Sequence, residues 1–171
     1  LDPTLLLNAE QWRKYERKPD YDLPEHYIVI YFLGNITPEY SEAIQKAAYG
    51  LPVISLYCPD DNSHFMNGPG EFLNLIDNDD FVCTDSFHGT AFSVNFGKNF
   101  LAFKRDTENE ALKYMFGRIE SLITNLNIDG HVYEPGINIR PDEVNYSEAN
   151  SRLQKMRDSS MKYLHDCLKA Q

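Results

Sequence analysis

Four short apolar runs, at residues 27–33, 53–57, 81–84 and 100–103, alternate along the chain with stretches of helical spacing. The first, Tyr27-Ile28-Val29-Ile30-Tyr31-Phe32-Leu33, is apolar on both alternating faces, which predicts a strand buried by helices on two sides of a parallel sheet. Gly34-Asn35 ends it. Thr37, with Pro38 and Glu39 behind it, predicts a capped helix that closes at Gly50 before Pro52. Val53-Ile54-Ser55-Leu56-Tyr57 predicts the second strand, and the polar loop from Cys58 to Gly70 is longer than the usual connection, a length that goes with function or mobility. Gly68-Pro69-Gly70-Glu71 then opens a short helix carrying Phe72, Leu73, Leu75 and Ile76, stopped by Asn78-Asp79-Asp80.

The stretch 81–97, FVCTDSFHGTAFSVNFG, organises the rest. Phe81-Val82-Cys83-Thr84 is the central strand, and a helix begins within two residues of its end. Phe100-Leu101-Ala102-Phe103 predicts the fourth strand, and Thr107 with Glu110 has capping-box spacing for a helix whose buried stripe is Leu112, Met115, Ile119, Leu122 and Leu126. Asp129-Gly130 makes a turn, His131-Val132-Tyr133 a short extended segment, and Ser147 is read as the cap of a last helix reaching about Lys169. That helix has a weak stripe, Ala149, Leu153, Met156, Leu164 and Cys167, expected to be half covered. The alternation predicts an α/β fold with a doubly wound, parallel, Rossmann-like sheet over residues 27–146. Residues 1–26, with Trp12 in a short helical stretch and breaks at Pro19 and Pro24, are expected to form a connecting arm, and 147–171 a terminal helix.

At 171 residues and 42% apolar content the chain suffices for one domain with a full core. It opens on Leu1-Asp2-Pro3 with neither a methionine nor a basic flank and apolar core of a signal peptide, so it reads as a piece of a longer chain. No apolar run approaches the roughly 20 residues that span a bilayer, and a soluble, cytoplasmic protein is expected. A net charge of −10 argues against a nucleic-acid face. Between Ala47 and Gly97 there is no Lys or Arg, so an anion bound there must lean on amides, hydroxyls, an imidazole, or the cations that follow. Cys58, Cys83 and Cys167 lack the spacing of a disulfide framework and are expected to be reduced. Asn35-Ile36-Thr37 and Asn145-Tyr146-Ser147 match the glycosylation pattern by chance. Asp60-Asp61-Asn62 and His64 lack metal-loop spacing, and no metal site is read from them.

Ligands of open α/β sheets bind beyond the carboxyl ends of the strands, where the first amides of the next helix are unpaired. Asp85, Ser86, Phe87, His88, Gly89 and Thr90 fall there. A helix amino terminus favours a neutral imidazole beside a phosphate or carboxylate, which singles out His88. Gly89 would allow a ligand close approach, Ser86 is read first as the helix cap, and Asp85 as a local turn former. Adjacent Asp, Ser and His do not make a hydrolase triad, which is assembled from separate segments. Phe92 and Phe96 are read as core.

In residues 68–76 and 81–93, GPGEFLNLI and FVCTDSFHGTAFS, the chain resembles the polysaccharide pyruvyl transferase family, and more loosely so from Leu1-Asp2-Pro3-Thr4-Leu5-Leu6 to Arg118-Ile119-Glu120-Ser121-Leu122. The resemblance implies the C-terminal half of a two-domain enzyme similar to GT-B glycosyltransferases, with the active site between the halves and the terminal helix packing on the absent N-terminal domain. It implies transfer of pyruvate from phosphoenolpyruvate onto two hydroxyls of a sugar, as a ketal, in polysaccharide synthesis, without a cofactor. The family's histidine falls on His88. Ser86 stands where better-known members carry an arginine that meets the donor, so Lys104, Arg105, Arg118 or the other half would supply the positive charge. Ser86, Phe87, Gly89 and Thr90 are the remaining donor-binding candidates. The competing readings are a GT-B nucleotide-sugar glycosyltransferase or epimerase-like domain, and a non-catalytic binding module on the same fold.

Overall fold

Residue runs that are apolar on both faces need helices on both faces, and the topology supplies them. The computed structural model describes residues 1–57, 67–109, 115–141 and 143–169. Its strands are β1 (Ile28–Tyr31), β2 (Val53–Ser55), β3 (Phe81–Thr84) and β4 (Phe100–Ala102), and its α-helices α1 (Ala9–Arg13), α2 (Pro38–Ala48), α3 (Pro69–Asp77), α4 (Phe87–Phe96), α5 (Phe116–Leu126) and α6 (Tyr146–Lys169). The strands form one parallel sheet in the order β2-β1-β3-β4. His131-Val132-Tyr133 extends it at the β4 edge through a parallel bridge between Ala102 and Val132, with amide bonds of 2.8 and 2.7 Å.

The chain runs outward from β1 to β2, then returns across β1 to begin β3, which places α2 on one face and α3 and α4 on the other. Ile28, Phe81, Cys83 and Leu101 pack with Ala43, Ile44, Ala47 and Ala48 of α2. Val29, Val82, Phe100 and Ala102 pack on the other face with α3, α4, α5 and the first half of α6. This is a Rossmann-like α/β sheet, and its β1/β3 reversal creates the crevice where such folds bind ligands. Phe92 and Phe96 stack in this core at 5.9 Å, and Trp12 meets Phe92 edge-on at 5.2 Å.

The amino-terminal arm is tied down along its length. Asn8 caps α1 in a box with Gln11, and the Trp12 indole donates to the Thr4 carbonyl. Leu5 is 1% exposed. Arg157 of α6 donates to the carbonyls of Leu5 and Leu7 and to Asn95 Oδ1. Beyond this anchor α6 leaves the domain, and from residue 161 onward its described side chains are exposed.

Several expected boundaries shift for physical reasons. β1 ends at Tyr31 because the amides of Leu33 and Gly34 turn to a side chain, Asp85, instead of a strand. β2 ends at Ser55. α2 ends at Ala48, and left-handed Tyr49 (φ 51°) precedes Gly50 (φ 86°) in the turn. Asn145, not Ser147, caps α6, accepting from the Glu148 amide. The Thr107 hydroxyl accepts from the Asn109 amide at 3.2 Å, and α5 is described from Phe116. Glu110, Leu112 and Lys113 lie outside the described residues, as do Cys58, His64 and the Asp60-Asp61-Asn62 run. Among the described residues Cys83 and Cys167 are free thiols, and no helix is long and apolar enough to cross a membrane.

One carboxylate works against this core. Asp79 is buried between α3 and β3, neither oxygen has a hydrogen bond, and Lys98 Nζ lies 3.9 Å away while donating to the Asp77 carbonyl. Burial pushes its carboxyl well above the ordinary value, with Lys98 opposing. A raised native value means that the stability it contributes is present below the ordinary carboxylate range and is lost as pH rises through the native value. Asp79→Asn should therefore flatten the decline in stability between mildly acidic and neutral pH, as urea midpoints at a series of pH values would show. The gain is about 1.4 kcal/mol for every tenfold by which burial has tightened the hold of this carboxyl on its proton.

Candidate functional site

At the carboxyl end of the sheet, three loops meet on one side chain. Asp85, directly after β3, accepts the amides of Leu33 (2.7 Å) and Gly34 (2.8 Å) from the loop after β1. Arg105, after β4, donates Nε to Asp85 Oδ2 at 3.3 Å and Nη2 to its carbonyl at 3.2 Å. Both partners are buried, at 10% and 1% side-chain exposure. Asn35 closes the arrangement through a bridge to Asp106, its amide donating to the Asp106 carbonyl at 3.0 Å. Asp85 thus acts across 52 residues of sequence rather than within its own turn.

α4 starts beside this knot. Ser86 stands at the N-cap, but its side chain makes no capping bond, which corrects the expectation for it. Its amide donates to Thr84 Oγ1 at 3.0 Å, and its hydroxyl serves the Tyr31 phenol. Burial and the Asp85 charge push that phenol up, against Arg105 and Ser86. The Thr90 hydroxyl is buried and donates to the Ser86 carbonyl. Gly89 is also buried, and a Cβ there would lie 2.3 Å from Thr84 Oγ1, so the space it leaves is taken up by the seating of α4 on β3. His88 differs from all of these. It is exposed on the first turn of α4 and makes no hydrogen bond among the described residues. With no side-chain cap, the first amides of α4 receive no acceptor from Ser86, the arrangement that favours an anion.

The three cations expected to serve this end sit in different circumstances. Arg105 is committed to Asp85. Lys104 is exposed, with Nζ 5.8 Å from the centre of the Phe116 ring at the start of α5. Arg118, in the first turn of α5, lies 4.0 Å over the Phe87 ring and donates Nη2 to Asp2 Oδ2 at 2.6 Å. Phe87 in turn meets the His88 ring edge-on at 5.8 Å. His88, Phe87 and Arg118 are therefore brought together, Ser86, Gly89 and Thr90 lie beneath them, and Arg105 belongs to the neighbouring knot.

A cleft of about 470 Å³ runs beside Arg118, lined by Asp2, Leu5, Phe87, Ser121 and Asn125 among others. Another hollow, of about 350 Å³ around Asn127 and His131, lies past the end of α5, beside the segment that extends the sheet at β4. Asp2 and Asp85 escape a reading by local pattern. Asp2-Pro3-Thr4 announces a capped turn and nothing more, and its pairing with Arg118 spans 116 residues.

The fold and this edge define a Rossmann-like domain with an imidazole beside an uncapped helix terminus. The chain belongs to the polysaccharide pyruvyl transferase family, whose model matches residues 1–107 and so takes in the arm, the Asp85 knot and His88. Comparison with curated proteins and with solved structures gave no match.

Removing the charge of Asp85 leaves a buried guanidinium without its partner. Asp85→Asn should cost about 3 kcal/mol of stability, in the range for breaking a buried pair from one side, and chemical denaturation would measure it.

Proposed function

We propose that this chain is the C-terminal domain of a transferase that moves a pyruvyl group from phosphoenolpyruvate to two hydroxyls of a glycan sugar, with His88 as the general acid. Family membership supports pyruvyl transfer as the class of reaction. The observation that carries the residue assignment is that His88 alone in its turn is exposed and unbonded, while Ser86, Gly89 and Thr90 are used by the fold.

The chemistry balances with few groups. A sugar hydroxyl adds through oxygen to the enol carbon of phosphoenolpyruvate as the methylene takes a proton from His88 and becomes a methyl, and the proton of that hydroxyl passes back to the imidazole. The C–O bond to phosphate then breaks, and phosphate leaves with the electron pair. The second hydroxyl captures the cationic carbon and gives up its proton to the departing phosphate, so one donor and one diol yield one ketal and one hydrogen phosphate. Amides at the start of α4 are suited to the departing phosphate, and Arg118 and Lys104 are the cations free of the Asp85 knot. No cofactor is required for any of these steps.

The other wall of the cleft is assigned to an N-terminal domain, in the arrangement of GT-B enzymes. The distal half of α6, with Met161, Leu164 and Leu168 exposed, is suited to pack on it. A nucleotide-sugar donor is less well accommodated. Such sites need open space over the first strand-to-helix turn, and a Cβ on Gly34 would lie 2.6 Å from both Arg105 Cγ and the Asp106 carbonyl.

In the full-length protein, assayed with phosphoenolpyruvate and candidate glycans, His88→Ala should lower turnover by about 10²- to 10⁴-fold with an unchanged unfolding midpoint. Near-normal turnover would move the acid to the other half. Binding of a nucleotide sugar, and not phosphoenolpyruvate, in calorimetry would replace the donor.

A further inference from the structure

The exposed face of α5 carries polar side chains in a regular row. Arg118, Ser121 and Asn125 recur at the spacing of successive helical turns, about 5.4 Å of rise each, and so stand one above the next on the helix surface. They form one side of the cleft of about 470 Å³, with Asp2 and Leu5 of the arm, Phe87 of α4 and Met156 of α6 across from them. That volume is in the range of small-molecule sites, about 300–1,000 Å³. The cleft does not stop at Asn125. A second hollow, of about 460 Å³, shares this residue and continues over Ser151, Arg152 and Lys155 of α6. The two spaces make one groove, which starts at Phe87, the chain neighbour of His88, and runs outward between α5 and α6.

The polar groups of this groove are either spent on one another or free. Asp2 accepts from the Thr4 amide and hydroxyl and from Arg118 Nη2 at 2.6 Å, so the carboxylate and the cation at the Phe87 end offset each other. Glu148, at the outer end, accepts from Arg152 and from the Asn127 amide. The Ser121 hydroxyl and the Asn125 side-chain amide make no hydrogen bond among the described residues. Each of these free groups both donates and accepts, which matches the hydroxyls of a sugar and gives an anion no charge to meet. Leu5 and Met156 opposite them suit the C–H faces of a pyranose ring. A row repeated at each helical turn meets successive units of an extended chain, because one turn is close to the length of one pyranose unit.

We infer that the groove along α5 is the acceptor track of the enzyme: it holds several consecutive units of a glycan chain, with Ser121 and Asn125 bonding their hydroxyls, and presents one unit past Phe87 to the donor. This rests on the reading of the chain as a pyruvyl transferase with a glycan acceptor, and it makes that acceptor an oligosaccharide or polymer and not a single sugar.

The test uses the nitrogen-15-labelled full-length protein, with the methyl glycosides of glucose, galactose and mannose and their homo-trisaccharides as probes. The Asn125 side-chain amide signal is assigned by its loss in Asn125→Ala. A trisaccharide should shift that signal and bind about tenfold more tightly than its monosaccharide, the worth of one or two further hydrogen bonds. Ser121→Ala combined with Asn125→Ala should abolish this gain at an unchanged urea midpoint, since both side chains are exposed. In the assay, Asn125→Ala should raise KM for the glycan about 3- to 10-fold and leave KM for phosphoenolpyruvate as it was. An Asn125 signal unmoved by every trisaccharide, equal affinity for one unit and three, or an equal rise in KM for phosphoenolpyruvate would overturn the inference. Pyruvyl transfer with Asn125 unmoved would remove the track and keep the proposed reaction. Trisaccharide binding at Asn125 without any response to phosphoenolpyruvate would keep the track and remove the donor, so the two failures are told apart.

Discussion

A buried carboxylate with three partners is the constraint on which this end of the molecule depends. Asp85 is 3% exposed and bonds two amides from the loop after β1 and the guanidinium from the loop after β4. A buried ion needs such company, because desolvation costs several kcal/mol unless bonds and an opposite charge offset it. The result is that the carboxyl ends of β1, β3 and β4 are fixed relative to one another. α4, which begins two residues after Asp85, inherits a fixed direction. Thr84 adds to this, donating to the Tyr31 carbonyl at 2.6 Å while accepting from the Ser86 amide.

This knot also decides which cations remain for chemistry. The sequence has no Lys or Arg between Ala47 and Gly97, so an anion bound at this end would be met by cations from outside that stretch. Arg105 comes first in reach, and the fold uses it. What remains on this side is Lys104 at the surface and Arg118, which is shared between Phe87 and Asp2. An arginine in place of Ser86 would have to enter a buried position where Tyr31 and Thr84 already stand. The departure at Ser86 is thus matched by a packed, polar, uncharged environment, and positive charge is displaced outward to α5.

The sheet was legible because its signal is one of period and punctuation. Phe81-Val82-Cys83-Thr84 followed by Asp85-Ser86 reads as a strand giving way to a helix on local grounds alone, and the fold agrees. The place of His88 in the first turn of α4 was legible for the same reason. What local pattern could not carry was the use of polar side chains over long separations. Ser86 has the right type and place for a cap, but its side chain makes no capping bond, while its amide donates to Thr84 Oγ1. Gly89 has the right type for ligand approach, but the nearest atoms belong to Thr84. Asn35 and Asn145, which open the two glycosylation-type motifs, illustrate the same point, since Asn35 bridges to Asp106 and Asn145 caps α6.

The two halves of α6 then make physical sense together. Ala149 and Leu153 are 1% exposed and pack on α5, and Arg157 reaches back to the arm that carries Asp2. The distal half presents Met161, Leu164 and Leu168 to solvent, an apolar stripe that a helix keeps only at a cost in hydration unless something covers it. The same helix thus touches α5, which presents Arg118, and the arm, which presents Asp2, before it projects past the domain. A surface that covers its distal half would bear on a lever whose near end is hydrogen-bonded to the segment beside His88. The helix and the arm are joined through Leu5 and Arg157, by packing and three hydrogen bonds from one guanidinium to Leu5, Leu7 and Asn95.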